Sequence, residues 1–316
     1  MKKTALITGA TSGIGEACAR KFAEGGYNLI LTARRAEKLA GIKAQLEAKG
    51  TKVRTLVFDV RDAEAAKQAI GSLEAEWQTI DVLINNAGLA LGLEKEYEGD
   101  PEDWNTMIDT NIKGLLTMTR LIVPAMIERN EGHVINIGSV AGDAAYAGGN
   151  VYCATKAAVK TITDGLRIDV AESAVRVTNV KPGLVETNFS NVRFHGDNAR
   201  AENVYKGIVP LTGADIADVA FYAASAPKHV QIAEVLVLAT HQGSGSVIHR
   251  EKNAFPKIRQ EPFLPYRTGI RRCLLMPKIT ICRAFCSKCR EWGRNGCFVR
   301  SCNPRHSSTS LSHTNH

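Results

Sequence analysis

Tyr152 and Lys156 stand four residues apart in this 316-residue chain, a spacing that sets both side chains on one face of a helix. A free phenol has a pKa near ~10, too high for a base at neutral pH. An ammonium held close favours the phenolate, and each pKa unit is worth about 1.4 kcal/mol. Such a pair can make a proton acceptor poised nearer the working pH. Ser139 lies upstream, just after the apolar run His133 to Ile137. Its hydroxyl could hold a substrate oxygen beside the phenol, because strand C-terminal ends are where open α/β sheets bind ligands. Taken alone, Tyr-x-x-x-Lys also fits an amphipathic surface pair, and Ser139 a turn serine.

A second chemistry is written near the N-terminus. Thr8-Gly9-Ala10-Thr11-Ser12-Gly13-Ile14-Gly15 joins a short apolar run, Thr4 to Thr8, to helical spacing at Ile14, Cys18 and Phe22. Gly9, Gly13 and Gly15 let backbone approach a pyrophosphate closely. Ser12 and Ile14 sit at the helix start, where free N–H groups and the helix dipole favour an anion. A second apolar run, Asn28 to Thr32, is followed by Ala33-Arg34-Arg35. An acidic residue there would accept from a ribose 2′-hydroxyl, whereas two guanidiniums suit a 2′-phosphate. The expected cofactor is NADP rather than NAD.

The elements that must position these groups alternate regularly. Further strands are expected at Val53 to Phe58, Val82 to Ile84, His133 to Ile137, Val175 to Val180 and Glu234 to Leu238. Helices are expected at 36–49, Ala63 to Trp77, Glu102 to Arg129, Val151 to Glu172 and Asp215 to Ser225, the last capped by Thr212 or Asp215. Runs such as Val82-Leu83-Ile84 lack two-residue alternation, as strands buried on both faces do. The expected fold is α/β, a Rossmann-type doubly wound parallel sheet in a single domain, residues 1–250.

Composition changes at that boundary. Residues 1–250 carry 27 Lys+Arg against 29 Asp+Glu, and residues 251–316 carry 13 against 3. The net charge of +8 therefore belongs to the tail, and the main domain gives no support for nucleic-acid binding. Six of the eight cysteines, from Cys273 to Cys302, also lie there, with spacings that fit no zinc template; no metal is expected. Five prolines break any periodicity, and the tail is expected to be disordered. Cys18 and Cys153 stand alone in the main domain, which suits a reducing compartment. No stretch approaches a membrane span, so a cytoplasmic protein without membrane partners is expected.

The motifs, taken in order, resemble the short-chain dehydrogenases/reductases over residues 3–248: Thr8-Gly9-x-x-x-Gly13-x-Gly15, Asp59, Asn85-Asn86-Ala87-Gly88, Asn111, Ser139, Tyr152-x-x-x-Lys156 and Pro182-Gly183. Within that family, Asn85 to Gly92, Trp104 to Asn111, Tyr146 to Tyr152 and Phe189 to Phe194 are similar to NADP-dependent 3-hydroxy acid dehydrogenases that also oxidise serine and allo-threonine. The resemblance implies that Tyr152 moves the proton of a hydroxyl whose carbon exchanges a hydride with nicotinamide. It implies further that Lys156 binds ribose, that Asn111 helps hold a water leading to the lysine, and that Asp59 and Val60 contact adenine. Asn86 would lie along the nicotinamide ribose. The loop Pro182 to Ser190, with Gly183, Val185 and Thr187, would cover the cofactor, so every catalytic and cofactor residue would fall between Gly9 and Ser190. Arg193 follows in the region of the family's substrate lid and could pair with a substrate carboxylate. A homotetramer acting on a small hydroxy acid is implied. A carbonyl reductase of other small ketones or aldehydes, or a non-catalytic NADP-binding module, would show the same motifs.

Overall fold

In a computed structural model that describes residues 2–251, seven parallel strands form one sheet. Their order is β3-β2-β1-β4-β5-β6-β7. The chain runs β1 (Thr4–Thr8), α1 (Gly13–Glu24), β2 (Asn28–Ala33), α2 (Ala36–Glu47), β3 (Val53–Val57), α3 (Ala63–Gly71), β4 (Val82–Asn85). It continues α4 (Pro101–Ile108), α5 (Leu115–Glu128), β5 (Gly132–Ile137), α6 (Asn150–Asp169), β6 (Val175–Pro182), α7 (Phe189–Arg193), α8 (Asn198–Asn203), α9 (Gly213–Ser225) and β7 (Glu234–Val237). The tail expected to be disordered, with its cysteines, lies outside the described residues.

Strand polarity explains the apolar runs. Ala5 and Ile7 of β1 enter a core with Phe22 of α1 and Ile216 and Ala220 of α9, while Leu6 joins Met118, Ile122 and Met126 of α5 on the other face. Both faces are covered, so neither needs polar alternation. The order reverses between β1 and β4, and a crevice must open beyond their carboxyl ends. Thr8 pins that crevice: its Oγ accepts from the backbone N–H groups of Asn86 and Ala87, both at 3.0 Å.

Three expected helices differ in detail. The stretch from Ala63 ends at Gly71, and Ala75–Trp77 is a separate 3₁₀ turn. The stretch 102–129 is interrupted by a π-helical turn, Asp109–Gly114, between α4 and α5. Of the two candidate caps for α9, Thr212 is the N-cap. Asp215 completes a capping box, its carboxylate accepting from the Thr212 N–H at 2.7 Å.

His133 on β5 is structural. Its Nε2 meets Thr178 Oγ1 at 2.8 Å, and burial pushes its pKa down to about 3. The imidazole is thus neutral in the fold but protonates near pH 6.5 when unfolded. The stability this contributes is complete above pH 6.5 and is lost as pH falls toward 3. At pH 5 the loss is about 2 kcal/mol. Urea unfolding at pH 7 and pH 5 should show that difference, and His133→Gln should remove most of it. An unchanged pH dependence in the variant would refute the assignment.

Candidate active site

The crevice holds a cavity of ≈ 580 Å³ lined from Gly9 to Arg250. At one end the glycine turn is shaped by its contacts. Gly13 has φ +57°, open to glycine at little cost. Gly15 does not line the cavity; a Cβ there would collide with Asn86 Nδ2 and the Gly9 carbonyl. Asn86 explains that crowding, since its amide donates to Thr8 O at 2.9 Å and Gly9 O at 3.2 Å. Asn86 therefore braces the turn from beneath as well as lining the cavity. Thr187, from the loop after β6, packs against Gly13 from the other side, and its Oγ1 accepts from the Phe189 N–H at 3.2 Å.

Two helix N-termini open here without a side-chain cap. Ser12 precedes α1 and Arg35 precedes α2, and neither side chain bonds the first turn. Uncapped N–H groups beside Arg34 and Arg35 are of the kind that favour an anion. Arg35 reaches across to Thr11 Oγ1 at 3.0 Å, tying the glycine turn to the start of α2. Arg34 lies 3.7 Å from Asp59 and is mostly exposed. Burial alone would raise the Asp59 pKa, but hydrogen bonds and charge from Arg61, with Arg34 adding, hold its carboxyl below the usual range. Arg61 is missing from the sequence-based site, though its position two residues after Asp59 could have suggested the pairing. Val60, Gly9, Ser12, Ile14, Pro182, Gly183 and Val185 all line the same wall. An extended channel with glycine backbone, open helix termini and two arginines at one end fits NADP.

The other end gathers the groups expected to transfer the proton. Ser139, Tyr152 and Lys156 are each buried and line the cavity together. The Ser139 hydroxyl stands beside that of Tyr152 and favours its phenolate, and its Oγ accepts from the Ala141 N–H at 3.1 Å. Lys156 donates to Ile137 O at 2.9 Å, with Nζ 6.0 Å from the centre of the Tyr152 ring. The electrostatics differ from the sequence expectation. Burial pushes the Tyr152 pKa above the usual phenol value, outweighing the Ser139 hydroxyl, and burial also lowers Lys156 to about 8. The protein's own groups hold Tyr152 as a proton donor at neutral pH. Positive charge beside the ring works against burial, and Arg193 acts in that direction.

Asn111 does not line the cavity but stands behind it. The π-helical turn directs its side chain at Leu89, with Oδ1 accepting from Leu89 N at 2.9 Å and Nδ2 donating to Leu89 O at 2.8 Å. A Cβ on Gly88 would meet Asn111 Oδ1 at 3.1 Å and Lys156 Nζ at 3.5 Å, so the two groups face each other across that glycine. Single π turns cluster at functional sites, and here the extra residue aims an otherwise poor helix former.

Arg193 sits on α7 above the phenol. Its Nε donates to Gly92 O at 3.0 Å and Nη1 to the Tyr146 hydroxyl at 2.9 Å, while Nη2 is buried without a partner among the described residues. Tyr146 is a second residue that sequence reading left without a role. Cys153 is buried in the cluster around Tyr152, and burial raises its thiol pKa, as a packed rather than nucleophilic cysteine requires. His195 pairs with Asp103 at 3.0 Å, and Asp197 caps α8. The cavity wall does not end at the lid. Gln242 bonds the Leu184 N–H at 2.8 Å from beneath the covering loop, and Arg250 lines the wall while donating to Lys206 O and Val204 O. Nothing local in the sequence marks these two, which act through contacts 44 to 58 residues distant.

Residues 3–198 match the short chain dehydrogenase family, and the chain belongs to it. An NADP-dependent 3-hydroxy acid dehydrogenase of Salmonella typhi is 50% identical over 247 residues, 78% of this chain and 98% of that protein. One from Schizosaccharomyces pombe is 45% identical over 252 residues, 79% and 97% of the two chains. Among solved structures, the closed form of a serine dehydrogenase complexed with NADP+ has a TM-score of 0.75 at 47% identity, covering 78% of this chain and all of that one.

Proposed function

We propose that this chain is an NADP-dependent dehydrogenase of 3-hydroxy acids, with Tyr152 as the acid/base, Ser139 holding the reacting oxygen and Arg193 anchoring the substrate carboxylate. NADP, when bound, supplies or accepts the hydride. Tyr152 gives a proton to the developing alkoxide in reduction and removes the hydroxyl proton in oxidation. Lys156 contributes charge beside the phenol and donors toward the ribose, and Asn111 holds a water behind it. Asp59 and Val60 flank the adenine, and Thr187 meets the cofactor from the covering loop.

One observation carries the substrate reading: Arg193 presents an unpartnered buried Nη2 with its guanidinium 5.8 Å from the centre of the Tyr152 ring. An unmet charged donor beside the reacting group favours an anion that can accept from it. The wall agrees in sign, with Arg34, Arg35, Lys156, Arg193 and Arg250 against the single carboxylate Asp59 among its described residues. A panel of 3-hydroxy acids, serine isomers and simple ketones, followed by NADPH absorbance, tests it. Arg193→Met should raise the KM of a 3-hydroxy acid roughly tenfold or more, the worth of one charged hydrogen bond, and that of its methyl ester little. Equal losses would make Arg193 a lid-packing residue, and the carbonyl-reductase reading would replace this one.

The reading places the enzyme in the cytoplasm as a homotetramer, with residues 1–250 as the working domain. Two buried free thiols support a reducing setting. Exposed Leu236 on the edge strand β7 and exposed Tyr222 on α9 support a subunit contact. Among the described residues no helix is long and apolar enough to cross a membrane. Truncation after Arg250 keeps the Arg250 strap on the lid and should preserve kcat. Kinetics and size-exclusion chromatography on both lengths check this, and a truncated protein that binds NADPH without turnover would move the boundary.

A further inference from the structure

We propose that Arg193 has a second role: carried on the lid, it is a cation that, with Lys156, sets the proton affinity of Tyr152. The two charges stand at nearly equal range, Arg193 Cζ 5.8 Å and Lys156 Nζ 6.0 Å from the ring centre. Arg193 lies after α6 by tens of residues and reaches the phenol from a different element, α7, whose Phe189 also packs on the Tyr152 ring at 5.7 Å. The guanidinium is held there by a reciprocal latch. Gly92 N–H donates to Arg193 O at 2.9 Å, and Arg193 Nε donates back to Gly92 O at 3.0 Å. The cation therefore reaches Tyr152 while α7 is seated on the loop after β4, so seating the lid and readying the base are one event.

The surroundings of the phenol make that charge count. On α6 it meets Lys156 and the Cys153 thiol; from the preceding loop, Tyr146; from the loop after β5, the Ser139 hydroxyl; from α7, Arg193. No carboxylate stands among those groups. Glu94, Glu96, Asp100 and Asp103 line a small cavity that Tyr152 and Arg193 also line; Asp103 is paired with His195 and Glu96 accepts from Asn150. Tyr146 accepts from Arg193 as a neutral phenol, its own pKa raised by burial. In this dry setting a positive charge at about 6 Å acts strongly on a phenol. Arg193 thus favours the phenolate against burial, and acts on proton transfer through Tyr152 as a positioning residue.

The proposal rests on Tyr152 being the acid/base, and the experiment separates the two. The rising limb of kcat against pH is measured for oxidation at saturating NADP+, with 3-hydroxybutyrate and with its methyl ester. Arg193→Gln keeps a donor for Gly92 O without the charge and should move the limb up by roughly one pH unit for the ester, and by less for the acid, whose carboxylate offsets the Arg193 charge when bound. Arg193→Lys should leave it within a few tenths. A limb that stays in place in the Gln variant, or moves equally in the Lys variant, overturns the proposal while leaving Tyr152 untouched. Arg193→Met repeats the neutral arm should the Gln variant not fold. Turnover that survives Tyr152→Phe would instead remove the base itself. An effect on KM for the acid alone would leave Arg193 as an anchor and nothing more.

Discussion

Replacing Tyr152 by Phe should lower kcat by roughly 10²–10⁴-fold while leaving the fold and NADPH binding intact. The ring packs among Ala90, Met107, Ala141 and Cys153, with Phe189 edge-on at 5.7 Å, and phenylalanine keeps all of that. The lost hydroxyl orphans little, because Ser139 Oγ retains the Ala141 N–H at 3.1 Å. Only the exchangeable proton goes. Lys156→Ala should behave differently. It removes the charge beside the phenol and the bond that ties α6 to Ile137 O at 2.9 Å, so turnover and cofactor affinity should fall together. Steady-state kinetics with a fluorescence titration of NADPH on both variants distinguishes the roles. Near wild-type turnover in Tyr152→Phe would refute the mechanism, whatever Lys156→Ala did.

The pH behaviour follows from the same burial. A phenol held protonated by its surroundings is an acid first, so reduction should run at neutral pH and fall as pH rises. Oxidation needs the phenolate and should rise with pH. Lys156, lowered to about 8, loses its own charge within that range, which gives the lid-borne cation its importance at the alkaline end.

Much of this arrangement was legible in the residues, and the exceptions share a cause. Strands β1, β2 and β4 announce themselves because a strand covered on both faces is apolar through its middle. The Tyr152–Lys156 pair and the glycine turn announce themselves because their chemistry is local, four residues or fewer between partners. The π-helical turn at Asn111 was hidden, since one inserted residue barely disturbs an apolar stripe over 28 positions yet redirects a side chain toward Leu89. The lid helices α7 and α8, of 5 and 6 residues, are too short to show a period. Gln242 and Arg250 were invisible for another reason. Each works by bonding backbone far away in sequence, and a lone Gln or Arg carries no pattern. Motifs mark local turns, and Gln242 and Arg250 line the cavity wall from beyond them.

Cofactor choice gives the second large effect. Two charge-assisted phosphate contacts, each worth about 1.5–3 kcal/mol, would together be worth roughly 10²-fold or more in affinity. Exposure lowers that figure, since Arg34 is 63% exposed and its charge is screened. The double change Arg34→Ser with Arg35→Ser should therefore cut the preference for NADPH over NADH by about 10²-fold, chiefly through KM. The two arginines are not equivalent. Arg35 also holds Thr11 Oγ1 at 3.0 Å, so its loss loosens the glycine turn and should weaken NADH as well. Arg34 has no such second duty, because Asp59 keeps Arg61 at 2.8 Å when Arg34 is gone. Arg34→Ser alone is thus the cleaner probe: kcat/KM for NADPH should fall roughly tenfold, with NADH nearly unchanged and the gap closing as salt is raised. Equal losses for both cofactors in Arg34→Ser would mean that the guanidinium supports the adenine pocket generally. The open N-terminus of α2 would then be left as the anion site by itself.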